Sequence, residues 1–297
     1  MSNYKNQVSL LLQVLPEVAK EKCFALHGGT AINLFIRDMP RLSVDIDLTY
    51  IPIEDRRTSI LKIIMALSSI KVNLEKIFPK AVITLKEKVL KLQITTAKAQ
   101  IKLEVSQINR GLLDGLVELK LCNKAQEEFD AFCLIPVVSI GQLYGGKICA
   151  ALDRQYPRDL FDIKFLLENE GFTDDIKKGF MLLLLSSSRP LNEMLQPNLI
   201  DQKAAMVNQF EGMSSESFTY DDFEKVRSTL IEIIHQNLTA KDKSFLLGFN
   251  NLTPDWSIYD FEKFPAVQWK LQNLTKLKSS NLEKFNAINT DLQILLN

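Results

Sequence analysis

The chain has 297 residues, 46% hydrophobic and 24% charged, with 36 Lys and Arg balanced by 36 Asp and Glu. This is the composition of a globular protein long enough for two domains, and zero net charge argues neither for nor against a nucleic-acid partner, which only a local patch could indicate. The longest apolar run, Phe180 to Leu185, is too short to span a bilayer, so no membrane partner is expected.

The opening segment is amphipathic, with charges interrupting its apolar residues, and does not read as a signal peptide. The spacing of Val8, Leu11, Leu12, Leu15 and Val18 predicts a helix over Gln7 to Lys20. Phe24 to Leu26 reads as a short strand or helix end, and Thr30 to Met39 as a helix with Ala31, Leu34 and Phe35 on one face. Leu42 to Ile51 alternates as a strand, Val44, Ile46 and Leu48 against Ser43, Asp45, Asp47 and Thr49. Ile53 to Ile77 reads as mostly helical. Strands follow over Ala81 to Leu85, Val89 to Thr95, Gln100 to Gln107 and Phe132 to Val138. From Ser139 the period is helical, with loops near Pro190, Pro197, Gly212, Pro254 and Pro265. The expected class is therefore α+β: a mixed sheet with flanking helices over 1–138, then an all-α domain over 139–297. Four scattered cysteines (Cys23, Cys122, Cys133, Cys149) lack metal-like spacing and read as reduced thiols of a cytoplasmic protein.

Alternate strand residues share a face, which puts the β-carbons of Asp45 and Asp47 roughly 6 to 7 Å apart. Two unpaired carboxylates that close repel each other, and a divalent cation bridging them removes the conflict. Glu104, on the polar face of another alternating strand, is the natural third ligand; the competing reading is three solvent-facing acids on a sheet. Upstream, His27-Gly28-Gly29-Thr30 lies between an apolar segment and a helix. Glycines there let backbone N–H groups approach a phosphate, and Thr30 is placed to cap the helix or touch a phosphate oxygen. The turn is not a P-loop.

"GGTAINLF", "RLSVDIDL" and "KLEV" together resemble the nucleotidyltransferase superfamily that includes DNA polymerase beta. More closely they are similar to the AbiEii/AbiGii toxin family of bacterial toxin–antitoxin and phage-defence systems. That family's later pattern, K-x-x-A followed by R-x-x-x-R-D-x-x-D, has its counterpart in "KICAALDRQYPRDLFDIKFLL". The resemblance runs from about Phe24 to Leu167. It implies that Gly28 and Gly29 face a nucleoside triphosphate, that Asp45 and Asp47 bind Mg²⁺ or Mn²⁺, and that Glu104 takes the third carboxylate place.

Lys147 and Arg154 are seven residues apart and share a helix face, and Pro157 predicts a break at Tyr156 with a new helix beyond. Phosphoryl chemistry needs cations for the triphosphate, a role the family pattern gives Lys147. Arg154 and Arg158 either contact phosphates or hold Asp159 and Asp162 in place. Asp162 either orients Lys147 or acts as a base. The plainer alternative is an Arg/Asp network tying the domains together. Ser43 shares the carboxylate face and can touch a ligand, while Arg41 can contact a phosphate or pair with an acid. Lys86, Lys88, Lys91, Lys98 and Lys102 suit either an RNA-binding face or protection of a sheet edge, and edge protection is the expectation.

The leading functional expectation is transfer of a nucleoside monophosphate from an NTP to an acceptor hydroxyl. The resemblance suggests a tRNA 3′ end or a protein as acceptor, and an antitoxin as partner. A catalytically inactive nucleotide- or partner-binding relative is the alternative, with a metal-dependent nuclease third.

Overall fold

The computed structural model describes residues 3–297, Asn3 through its backbone alone. The chain divides into two compact units, and the division falls inside a helix a few residues past position 138. One unit runs to Leu143 and takes back Phe210–Ser217; the other holds Tyr144–Gln209 and Phe218–Asn297.

The first unit is built on a mixed seven-stranded sheet. Its strands are β1 (Phe24–His27), β2 (Asp45–Tyr50), β3 (Val82–Lys86), β4 (Lys91–Thr95), β5 (Gln100–Arg110), β6 (Val117–Lys120) and β7 (Leu134–Val137). Their lateral order is β3-β4-β5-β2-β1-β7-β6. β2 runs antiparallel to β1 and parallel to β5, β1 is parallel to β7, and the remaining pairs are antiparallel.

The helices of this unit are α1 (Asn3–Val18), the short α2 (Gly28–Ala31) continuing as a π turn over Ile32–Ile36, α3 (Arg56–Ile77) and α4 (Asn123–Phe129). α1 packs on β5, and α3 on β3 and β4. Val8, Leu11, Leu15 and Val18 of α1, and Ile63, Leu67, Ile70 and Leu74 of α3, are buried with Ile94, Leu92, Leu103 and Ile46 of the strands. Each such side chain contributes about 1.5–3 kcal/mol by leaving water. The inward residues are the apolar halves of the alternating strands, so the polar halves share the opposite face.

Two local elements differ from the sequence reading. The helix expected over Thr30 to Met39 is a single α turn beginning at Gly28 and passing into the π turn, and Met39 ends it at φ 54. β6 and α4 were not expected. β6 is four mostly exposed residues, too short for a periodic signal, and α4 buries only Ala125, so it carries no apolar stripe.

The second unit is helical. α5 (Ile140–Asp153) carries the division, and α6 (Pro157–Asn169), α7 (Asp174–Leu185), α8 (Leu191–Leu195) and α9 (Lys203–Ala205) follow. Then come α10 (Tyr220–Asn237), α11 (Ala240–Asn250), α12 (Pro265–Ser280) and α13 (Leu282–Leu296). Tyr156 is the N-cap of α6 and Pro157 its first residue, as the proline predicts. Pro265 opens α12 for the same reason rather than lying in a loop. Thr219 with Asp222 and Thr239 with Asp242 form capping boxes. Phe245 is the centre of an aromatic cluster with Trp256, Tyr259 and Phe261, whereas Trp269 on α12 is 51% exposed.

Within this unit Gly145 of α5 meets the backbone of α7. A Cβ on Gly145 would lie 2.5 Å from the Gly179 oxygen and the Phe180 nitrogen. Backbone cannot rotate away as a side chain can. Gly145→Ala is therefore expected to cost about 3 kcal/mol, at the upper end of overpacking penalties, read as a lower urea midpoint. An unchanged midpoint would show that the two helices slide apart freely.

Candidate active site

β1 and β2 form an antiparallel pair with His27 opposite Asp47, so the chain leaving β1 turns directly beside the acids of β2. Asp45 and Asp47 are half-buried on one face, while Ile46 and Leu48 between and beyond them are buried on the other. Gly28 has φ +72, and a Cβ there would overlap the Asp47 Oδ2 and lie 3.1 Å from the Asp47 Cβ. The glycine is required twice, for its left-handed backbone and for the space the carboxylate occupies. Gly29 is constrained by space alone, since a Cβ would lie 2.8 Å from Arg41 Nη2 and 3.1 Å from Ser43 Oγ.

Thr30 is fully buried and its hydroxyl lies 2.5 Å from the Asp45 carbonyl and 3.0 Å from Ser43 Oγ. A hydroxyl has one proton and the carbonyl can only accept, so Thr30 donates to Asp45 and Ser43 donates to Thr30. Thr30 thus pins the glycine turn to the start of β2 rather than presenting its hydroxyl outward. Arg41 is 2% exposed; its Nη1 donates to the Leu42 carbonyl at 3.0 Å, and its Nη2 lies against Gly29. The returning segment Phe210–Ser217 holds this stretch in place: Leu42 N–H donates to the Met213 carbonyl at 2.7 Å, and Ser214 Oγ to that of Pro40 at 3.0 Å. α2 is a single turn, so its macrodipole adds less than a full helix would.

Glu104 is the register partner of Asp47 on the parallel strand β5, which puts it on the same face. Its Oε1, however, is 2.5 Å from Lys91 Nζ. Among the described residues, no three His, Cys, Asp or Glu side chains are gathered closely enough to hold a metal ion. The expected three-acid grip is therefore an aspartate pair with the third carboxylate one strand away and turned to a lysine. The pair still suits a divalent cation: two hard carboxylates on one face, beside a cradle that a Cβ on Gly28 would fill.

In the second unit, Lys147 is 6% exposed and its Nζ lies 2.8 Å from Asp159 Oδ1 and 2.9 Å from Asp162 Oδ2, both carboxylates being essentially inaccessible. Arg154 closes on Asp159 with Nε at 2.6 Å and Nη2 at 3.1 Å. Burial works to raise the Asp159 pKa, but Lys147 and Arg154 overcome it and hold the carboxyl well below the usual range. Arg154 and Arg158 both lie over the Tyr156 ring, at 5.3 and 5.8 Å. Asp162 thus pairs with Lys147, and Arg154 with Asp159.

Three supporting residues escaped the sequence reading. Gln155, with φ 51 and 1% exposed, donates to the Asn198 carbonyl and accepts from Arg227 Nη1 at 3.0 Å. Gln202 donates to the Arg154 carbonyl at 2.8 Å. These contacts fix the turn between α5 and α6. A glutamine in left-handed conformation and an arginine on an amphipathic helix leave no readable pattern.

Gly28→Ala is expected to displace the Asp47 carboxylate. A misplacement on the order of 1 Å costs on the order of 100-fold in rate. Steady-state transfer by Gly28→Ala beside Gly115→Ala, whose Cβ meets nothing within 4 Å, checks this. Equal rates would remove the close-approach argument.

A mixed sheet with a Gly-Gly turn against paired aspartates, joined to a helical part, defines a nucleotidyltransferase. The fold is shared with MenT4, a nucleotidyltransferase toxin from Mycobacterium tuberculosis H37Rv, at a TM-score of 0.63 and 11% identity, covering 92% of this chain and 95% of that one. Residues 9–273 match the family model described as nucleotidyl transferase AbiEii toxin, type IV TA system, and the chain belongs to that family. No curated protein matches the sequence. Among the described residues no helix is long and apolar enough to cross a membrane.

Proposed function

We propose that the chain, with Mg²⁺ or Mn²⁺ bound, transfers a nucleoside monophosphate from an NTP to an acceptor hydroxyl on a tRNA 3′ end or a protein. In this reading it is the toxin of a bacterial toxin–antitoxin or phage-defence pair, acts in the cytoplasm and is restrained by a cognate antitoxin. The observation that carries the reading is the Asp47 carboxylate packed against Gly28 on the face it shares with Asp45. Asp45 and Asp47 hold the cation, with Glu104 as a further ligand once it parts from Lys91. A divalent ion there supplies charge neutralisation for the triphosphate and a more acidic acceptor hydroxyl.

Gly28 and Gly29 let the backbone approach the triphosphate. Thr30 and Ser43 keep that turn in register with β2, and buried Arg41 adds positive charge beside it. Lys147 belongs to a preorganised cluster whose geometry Asp159 and Asp162 set, and Arg154 of that cluster and Arg158, beside it on the Tyr156 ring, are the more accessible cations, suited to phosphate oxygens.

The test is incubation with each labelled NTP, Mg²⁺ and total tRNA, followed by separation of RNA from protein. Label enters one of the two with the parent protein and neither with Asp45→Ala/Asp47→Ala. Identical blanks for both proteins would defeat the reading. The Glu104–Lys91 pair is what favours the alternative, a relative that binds nucleotide without turning it over. Calorimetric titration with NTP and Mg²⁺ alongside the labelling assay separates the two.

A further inference from the structure

We propose that the polar face of β2, β5, β4 and β3 is a track for single-stranded RNA, which delivers its 3′ end to Asp45 and Asp47. The proposal rests on the transferase reading above and adds the surface by which an RNA acceptor reaches that same site.

The strand registers place the relevant side chains in two lateral rows on one face. Asp47, Glu104, Lys91 and Lys86 are successive partners across β2, β5, β4 and β3. Asp45, Lys102, Gln93 and Thr84 form the neighbouring row. Three strand spacings put the Lys86 backbone about 14 Å from that of Asp47. α1 and α3 pack against the opposite face, which carries the apolar halves of these strands. On the row side Lys86, Lys102 and Thr84 are exposed, and Lys91 and Gln93 half-buried.

Edge protection, the expectation from sequence, accounts for only part of this. β3 is the outer strand, but Lys91 and Lys102 stand on β4 and β5, which have neighbours on both sides and no open edge to guard. Lys91 is matched by Glu104, whereas, among the described residues, Lys86 is held by Gln93 and neither Lys86 nor Lys102 makes an ion pair. Two lysines without an ion pair, on a face continuous with two aspartates, suit a polyanion approaching a cation site. Gln93, Thr84, Thr95 and Gln100 add hydrogen-bonding groups for ribose and base edges. The rows contain no aromatic residue, so base stacking contributes little, and binding is expected to tolerate sequence and depend strongly on salt. A protein acceptor fits less well, because among the described residues the exposed apolar side chains of these strands are Val82 and Ile108, and the rows add no aromatic anchor to them.

Fluorescence anisotropy with a short fluorescein-labelled single-stranded RNA, over a series of salt concentrations and without NTP or metal, tests the track. Lys86→Glu/Lys102→Glu is expected to bind at least about tenfold more weakly, with a salt slope lower by between about one and two. Lys71→Glu/Lys76→Glu, on α3 against the other face, binds like the parent. Far-UV circular dichroism checks folding, and Lys86→Gln/Lys102→Gln gives a milder second pair with a smaller loss in the same direction. Parent-like affinity and slope in both row variants would overturn the proposal, as would a parent with no salt-dependent RNA binding. Label entering a protein, at a rate the row variants do not change, would also overturn it. Because binding is read without turnover, a failed track and a failed transferase reading give different results.

Discussion

Asp45→Asn/Asp47→Asn is expected to abolish nucleotide transfer, lowering it by at least about 10³-fold, while the protein still unfolds cooperatively in urea. The two halves of that result come from different physics. Charge stabilisation by a bound cation is worth several kcal/mol in the transition state, and each 1.36 kcal/mol is tenfold in rate. Asparagine keeps the shape and the half-buried position but loses the charge that holds the ion. Stability changes far less, since asparagine matches aspartate in shape and keeps one acceptor oxygen at each half-buried position. Labelled-NTP transfer to total tRNA, measured beside urea unfolding, checks both. Full transfer by the double variant would mean that these carboxylates are not the metal ligands. Glu104→Gln separates the third position: a loss of similar size makes Glu104 a true ligand that leaves Lys91 during turnover, and a small one leaves it as the partner of that lysine.

Lys147→Met is expected to cost about 3–5 kcal/mol of stability, because it strips the shared cation from two carboxylates that water cannot reach. Transfer then falls in step with the folded fraction. If stability holds while transfer disappears, Lys147 contacts the nucleotide directly instead of serving as the hub of a buried cluster. The same cluster sets an acid limit. The Asp159 pKa is lower in the folded protein than in the unfolded chain, so its contribution is fully present above the ordinary carboxylate range and is lost as pH falls below about 4. Unfolding there takes up a proton that the native carboxylate refuses. Urea midpoints followed from pH 7 down to pH 3 should decline through that window, and Asp159→Asn, though less stable throughout, should decline less steeply. Parallel curves would place the acid sensitivity elsewhere.

Residue order alone carried the local patterns. Alternation over Leu42 to Ile51 placed Asp45 and Asp47 on one face, because side chains of a strand alternate whatever surrounds it. Pro157 set the start of α6 because its ring fixes φ and it has no N–H to give. The glycine turn, the aspartate pair and the basic helix in one order were enough to indicate the family to which the chain belongs. Tertiary structure decided what lies beside what. Nothing in the spacing of Glu104 shows that β5 joins β2 in parallel with residue 104 opposite 47, or that Lys91 reaches its carboxylate first. Nor does the order of residues show that Met213 and Ser214 return to brace Arg41 and Leu42, or that two lysines taken for edge guards stand on interior strands. Periodicity reports which side of its own element a residue occupies, whereas strand register and long-range return are set by packing between segments far apart in the chain, where no local preference acts.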